Sequence, residues 1–189
     1  MRKSRQEAAE TRQRIVEAAS RRFRENGIDG TALADLMAQA GLTHGGFYKH
    51  FGSKEQVVLE SMQLAATSLR ESFGQTLEHS PGNRGMNTAI AGYLSADHRD
   101  DAGGGCPLAA LASELARGSD EVRDATTDTV TRFVDLVARH LTELPPAAAK
   151  KKALVIVSTM IGALSLARMV NDEQLSASIL REARKALLQ

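Results

Sequence analysis

One residue in 189 is cysteine, Cys106, which excludes an intramolecular disulfide framework and a four-cysteine zinc site and fits a reducing cytosol. Tryptophan is missing, and beyond residue 54 only Phe73, Tyr93 and Phe133 are aromatic, too few to cage a large cation. Alternating β-branched runs hardly occur, so strands are not expected. Behind the positive charges of the opening MRKSRQEAAETR there is no apolar stretch, and no secretory signal is expected. The longest apolar-rich run, Ala153 to Ala167, would reach about 23 Å as a helix against ~30 Å of hydrocarbon, and it reads as a buried helix. Net charge is scarce too, at +1, so bulk electrostatics does not announce a nucleic-acid binder. No Ser/His/Asp, Cys/His or glycine-rich phosphate arrangement stands in its required context. No enzyme activity, catalytic residue or cofactor is therefore expected. His79 and His140 stand singly on helices, and the loop residues Asp97, His98, Asp100 and Asp101 near Cys106 read as solvated, with no metal expected.

What is present is helix. A chain 42% hydrophobic and 25% charged has the composition of an ordinary soluble protein with a real core. Residues 1–54 hold ten Lys/Arg against six Asp/Glu, and residues 55–189 hold fourteen against seventeen, so the basic excess lies where it could meet phosphates. Ile15, Ala19 and Phe23 stripe a first helix from about Gln6 to Asn26, ended by Gly27. Leu33, Leu36, Met37 and Ala40 stripe a second, with Thr31 as its N-cap and Gly41 at its end. After Gly41, Leu42 and Thr43 a third short helix opens. Ser53, three residues before Gln56, makes a capping-box pattern for a long fourth helix toward His79. Pro81 and Gly82 break that helix, and a fifth follows around Met86 to Leu94. The run DHRDDAGGG, Asp97 to Gly105, reads as a loop. Pro107 starts a helix to about Arg117, Ser119 caps another, Pro145 and Pro146 precede the apolar one, and a last helix follows Asn171. The expected fold class is all-α with about nine helices.

The densest chemistry lies in GLTHGGFYKHFGSKEQ, Gly41 to Gln56. Two helices joined by a three-residue turn containing glycine form a helix-turn-helix, whose second member enters the major groove of DNA. Phe47 and Phe51, four apart, share a face and should anchor that helix on Phe23 and Leu36. Gly45 and Lys49 then point away, with Gly46 and Tyr48 beside them. Small residues let a helix settle against base edges, and Lys49 can reach a guanine or a phosphate. Tyr48 and His50 can donate to phosphate oxygens. Thr43 and His44 lie by unpaired backbone N–H groups that welcome an anion. Lys54 adds a second phosphate clamp, and Arg2, Lys3 and Arg5 form an arm that could touch the backbone or the minor groove.

The stretch TRQRIVEAASRRFRENGIDGTALADLMAQAGLTHGGFYKHFGSKEQVV resembles the N-terminal DNA-binding domain of the TetR family of bacterial transcriptional repressors, over about fifty residues. The pattern ending in Phe23 and Gly27, Thr31, the turn Gly41 to Thr43, Gly45, and FYKHF with SKE after it carry the likeness. It implies that Thr31, Thr43, His44, Gly45, Gly46, Tyr48, Lys49, His50 and Lys54 are DNA-binding positions. Gly46 departs from the Ser, Thr, Asn or Ala common there, which removes a base contact and weakens a helix by up to ~1 kcal/mol relative to alanine.

The resemblance also implies the division of labour. Residues 1–54 would bind double-stranded DNA, and residues 55–189 would bind an effector and dimerise through the last two helices. A homodimer implies a near-palindromic operator, from which a small molecule releases the protein. The effector pocket would draw on Met62, Met86, Ile90, Tyr93, Leu108, Leu111, Phe133, Met160 and Leu164. Cys106 stands at a helix start before Pro107, where unpaired N–H groups lower a thiol pKa, so a redox- or electrophile-sensing role is an alternative. A helical ligand-binding protein that does not use DNA is another.

Overall fold

The structure, a computed structural model, describes residues 5–79 and 83–188, without the side chain of His44. Among these residues every regular element is helical: α1 Arg5–Asn26, α2 Leu33–Gln39, a 3-10 helix His44–Lys49, α3 Lys54–Glu78, α4 Asn83–Tyr93, α5 Ala96–Asp100, α6 Pro107–Ala116, α7 Asp120–Arg139, α8 Pro146–Met169 and α9 Glu173–Leu187. The all-α expectation holds. Gly27 and Gly41 end α1 and α2 with φ of +80° and +72°, the left-handed turn that only glycine adopts without strain.

Several local expectations need correction. Thr31 does not cap α2. Ala32 occupies that position without a side-chain bond, while the Thr31 hydroxyl turns inward to donate to the Gly27 carbonyl at 2.7 Å. The third helix is wound as a 3-10 helix, with Gly46 N–H on Thr43 O and His50 N–H on Phe47 O, both 2.9 Å. Two adjacent glycines disfavour a regular α-turn there, and at six residues the segment runs longer than such tight winding usually does. Arg5 belongs to α1, not to an arm, and Arg2 and Lys3 lie outside the described residues, as do Pro81 and Gly82. Part of the expected loop is helix α5, because Ser95 Oγ accepts from His98 N–H at 3.1 Å and starts a turn. α8 runs for 24 residues, long and apolar enough to cross a bilayer by length and composition, so shortness does not exclude it from a membrane. Packing makes it a core helix: Ala153, Ile156, Val157, Met160, Ala163, Leu164 and Ala167 are buried against the neighbouring helices.

Other caps follow the sequence. Ser53 Oγ accepts from Gln56 N–H, and Gln56 Oε1 reaches back to Gly52 N–H at 2.9 Å, one residue earlier than a standard capping box. Ser119 and Asp172 cap α7 and α9, and Pro107 opens α6. One hydrophobic core runs from Ile15, Phe23, Leu36 and Phe47 through Val57 and Met62 to Phe133, Val137, Met160 and Leu164. α3 carries that continuity, packing on α1 at its start and on α4 and α7 further along. The helix that begins beside the 3-10 segment thus ends deep in the C-terminal part.

Candidate nucleic-acid interface and effector site

Phe47 is fully buried and Phe51 nearly so, their rings stacked with centroids 5.6 Å apart. This seats the 3-10 segment and leaves the other residues of the turn outside. Tyr48 is 66% exposed, its ring edge-on to Phe47 at 5.2 Å, and Gly45 and Lys49 are exposed with it. Thr43 is exposed at the segment's start, and Gly46 and His50 are half-buried. The side chain of His44 lies outside the described residues. Arg12 of α1 secures the far end: its guanidinium lies 4.0 Å over the Phe51 ring and donates to the His50 carbonyl and the Glu60 carboxylate. Lys54 is half-buried, its ammonium donating to the Ile28 carbonyl at 2.6 Å and lying 5.9 Å from the Phe23 ring. Thr31 is 3% exposed with its hydroxyl turned inward, so its side chain does not join the surface that Thr43, Gly45, Tyr48 and Lys49 form.

The junction to the C-terminal part is built by a residue the sequence reading passed over. Glu114, on α6, accepts from Ile28 N–H at 2.7 Å and Asp29 N–H at 3.0 Å, the turn between α1 and α2. A Cβ at Gly27 would lie 3.1 Å from its carboxylate oxygens, so glycine permits the close approach. A lone acid in the apolar PLAALASELA was the available signal. Glu114→Ala is expected to destabilise the protein by about 1.5–3 kcal/mol, because two backbone donors lose a charged acceptor. Urea denaturation checks this, and an unchanged midpoint would mean water replaces the carboxylate without loss.

At the other end of α6, burial reverses the expectation for Cys106. The thiol is fully buried, and desolvation pushes its pKa up despite the helix start and a nearby Arg168. Burial thus favours the neutral thiol over the thiolate. His98 Nε2 accepts from Cys106 N–H at 3.0 Å, so Nδ1 holds the proton and donates to the Tyr93 carbonyl at 2.7 Å. Burial lowers the His98 pKa, consistent with a neutral ring. Arg168, which closes the apolar stretch of α8, donates to the carbonyls of Arg99 at 2.9 Å and His98 at 2.6 Å. Among the described residues no group of three or more His, Cys, Asp or Glu could hold a metal ion.

The nine expected pocket residues are all buried. Two of them line open space: Met62 a cleft of about 280 Å³ between α3 and α7, and Tyr93 a groove of about 570 Å³ between α3 and α4. Met86, Ile90, Leu108, Leu111, Phe133, Met160 and Leu164 line neither, and pack as core. Their helices face inward there, and periodicity alone does not distinguish a cavity wall from a filled interior.

Residues 15–61 match the family model of bacterial regulatory proteins of the tetR family, and residues 84–183 match the C-terminal domain of LmrA/YxaF-like transcriptional regulators. An uncharacterised HTH-type transcriptional regulator of Mycobacterium tuberculosis (strain H37Rv) is 29% identical, over 94% of each chain. LmrA of Bacillus subtilis (strain 168), also an HTH-type transcriptional regulator, is 25% identical over 80% of this chain and 82% of its own. A crystal structure of a TetR transcriptional regulator from Chloroflexus aurantiacus superposes with a TM-score of 0.79 at 30% identity, covering 97% of this chain and 94% of that one. A buried pair of phenylalanines behind an exposed Gly-Tyr-Lys surface, followed by an LmrA/YxaF-like helical domain, is thus matched along nearly the whole sequence, and the chain belongs to the TetR family of transcriptional regulators.

Proposed function

We propose that the protein is a cytoplasmic, ligand-responsive repressor that binds a near-palindromic operator as a homodimer and leaves it when a small molecule occupies the C-terminal part. Residues 1–54 form the DNA-binding unit and residues 55–189 the effector and dimer unit, with α3 crossing between them. The observation that carries this reading is the division of one short turn: Phe47 and Phe51 inside, Gly45, Tyr48 and Lys49 outside. Gly45, Gly46 and Lys49 approach base edges, and Thr43, His44, Tyr48 and His50 approach phosphates. Lys54 joins them, since an ammonium has three donors and Ile28 takes one. α8 supports the dimer with an outward stripe of Val155, Ser158, Gly162, Leu166 and Met169, all exposed, and Leu154 on α8 and Leu175 on α9 are exposed as well. Gly162 has nothing within 4 Å of where its Cβ would stand, so another helix can approach closely there.

Selection of bound fragments from random duplex DNA, repeated at rising salt, tests the reading. The expected outcome is an inverted repeat whose affinity falls steeply with ionic strength. Lys49→Ala is expected to relax preference at one base position of each half-site, a change of about 1–3 kcal/mol in discrimination. Preference left intact would confine Lys49 to the phosphate backbone. Retention of no fragment at low ionic strength would remove the DNA-binding reading.

A further inference from the structure

Three buried side-chain polar atoms among the described residues lack a hydrogen-bond partner, and all three can donate: Arg24 Nε, Tyr93 Oη and Arg168 Nη1. They are not scattered. Cys106 is a near neighbour of all three, and Tyr93 and Arg168 neighbour each other. The Tyr93 hydroxyl lies beside the Cys106 thiol without a hydrogen bond of regular geometry. Arg168 is held rigidly by two carbonyls, which leaves Nη1 over. Of the nearby carboxylates, Asp100 pairs with Arg99 at 2.7 Å and Asp101 accepts from Gly104 N–H at 2.9 Å; their charges also act on Arg168, and that of Asp101 on Arg24, but neither accepts a hydrogen bond from the three free donors. The thiol, kept neutral by burial, supplies no counter-charge. Three buried donors therefore meet here without a hydrogen bond, a combination the interior of a protein seldom tolerates.

The groove of about 570 Å³ between α3 and α4 ends at this cluster. Leu69, Phe73 and Ala89 line its apolar part, and Tyr93, His98 and Gly104 its end. Next to Gly104, a Cβ on Gly105 would lie 2.8 Å from both Arg168 Nη2 and the His98 ring, so the backbone beside the groove's end runs directly against the guanidinium, which glycine alone permits. The volume falls in the range of small-molecule sites. We propose that groove and cluster form one amphipathic site for a small carboxylate-bearing effector, its apolar body against Leu69, Phe73 and Ala89 and its carboxylate on Tyr93 Oη and Arg168 Nη1. This gives a chemical class to the ligand of the preceding section and rests on that reading for its regulatory meaning.

The probes are octanoate and its neutral match octanamide, added to the full chain and followed by calorimetry and thermal unfolding. Octanoate is expected to bind at least about tenfold more tightly than octanamide, the difference a charge-assisted acceptor makes. Tyr93→Phe, which removes only the hydroxyl, is expected to weaken octanoate about tenfold and leave octanamide unchanged. Arg168→Gln is expected to weaken octanoate further. Equal binding of acid and amide, binding of neither, or an octanoate affinity unmoved by Tyr93→Phe would each overturn the site and leave the cluster to buried water. A mobility shift on the selected operator runs alongside. DNA bound without any octanoate response sinks the carboxylate site and keeps the regulator, whereas octanoate bound without DNA retention does the reverse.

Discussion

Phe47→Ala is expected to cost about 3–5 kcal/mol of stability and to abolish specific operator binding. Phe47 is completely buried, stacked on Phe51 and edge-on to Tyr48, and its carbonyl accepts from both His50 and Phe51 N–H. Truncation leaves a ring-sized void under a six-residue 3-10 segment that has few contacts of its own to hold it. The segment then loses its orientation, and Lys49 and Tyr48 lose theirs with it. Urea denaturation gives the stability loss, and a mobility shift on native-selected operator gives the binding loss. A variant that kept its midpoint and its operator would show that Arg12, clamped over Phe51, suffices to hold the turn.

The second large effect is expected from Val155→Glu combined with Leu166→Glu. Both side chains are at least half exposed on the outer face of α8, at 60% and 53%, so charges there leave the protomer's own core intact. Two acids placed symmetrically across a two-fold interface face like charges in a desolvated setting. A monomer is expected by analytical ultracentrifugation, with thermal unfolding close to that of the unpaired native chain. Operator affinity should drop about 10²–10⁴-fold, because each half-site is then bound without the effective concentration that its twin supplies. A dimer that survives the double substitution would place the interface on another face.

Local pattern made the helices and the seat of the DNA-facing turn legible. Phe47 and Phe51 are four apart among small and polar residues, and the glycines at 27 and 41 mark where helices must stop. Other features were not legible, each for a physical reason. The cap of α2 went wrong because a threonine hydroxyl can serve a carbonyl behind it as well as the N–H groups ahead, and Thr31 does the former. The thiol of Cys106 went wrong because the helix start acts locally while desolvation depends on what packs around it, and the packing comes from Tyr93, His98 and α8. The pocket residues follow from the family layout that the resemblance implies, which points to inward-facing positions and says nothing about whether the interior there is filled. Long-range polar anchors such as Arg12 to the His50 carbonyl, Glu114 to Ile28 and Arg168 to His98 join positions far apart in sequence, where periodicity carries no information.

Gly45 and Gly46 leave the DNA-facing turn with vacancies of unequal depth. A Cβ at Gly45 would meet nothing within 4 Å, and one at Gly46 would touch Met37 Cε and Thr43 Oγ1 at ordinary distances of 3.6 and 3.8 Å. Neither glycine has the backbone twist that bars a side chain. A side chain can therefore begin at either position without a clash at its Cβ, and at Gly45 it opens onto free space, the side on which the proposed duplex would lie. The turn is a keyboard with blank keys: a two-position library here would recode which operator is read while the scaffold beneath keeps its shape.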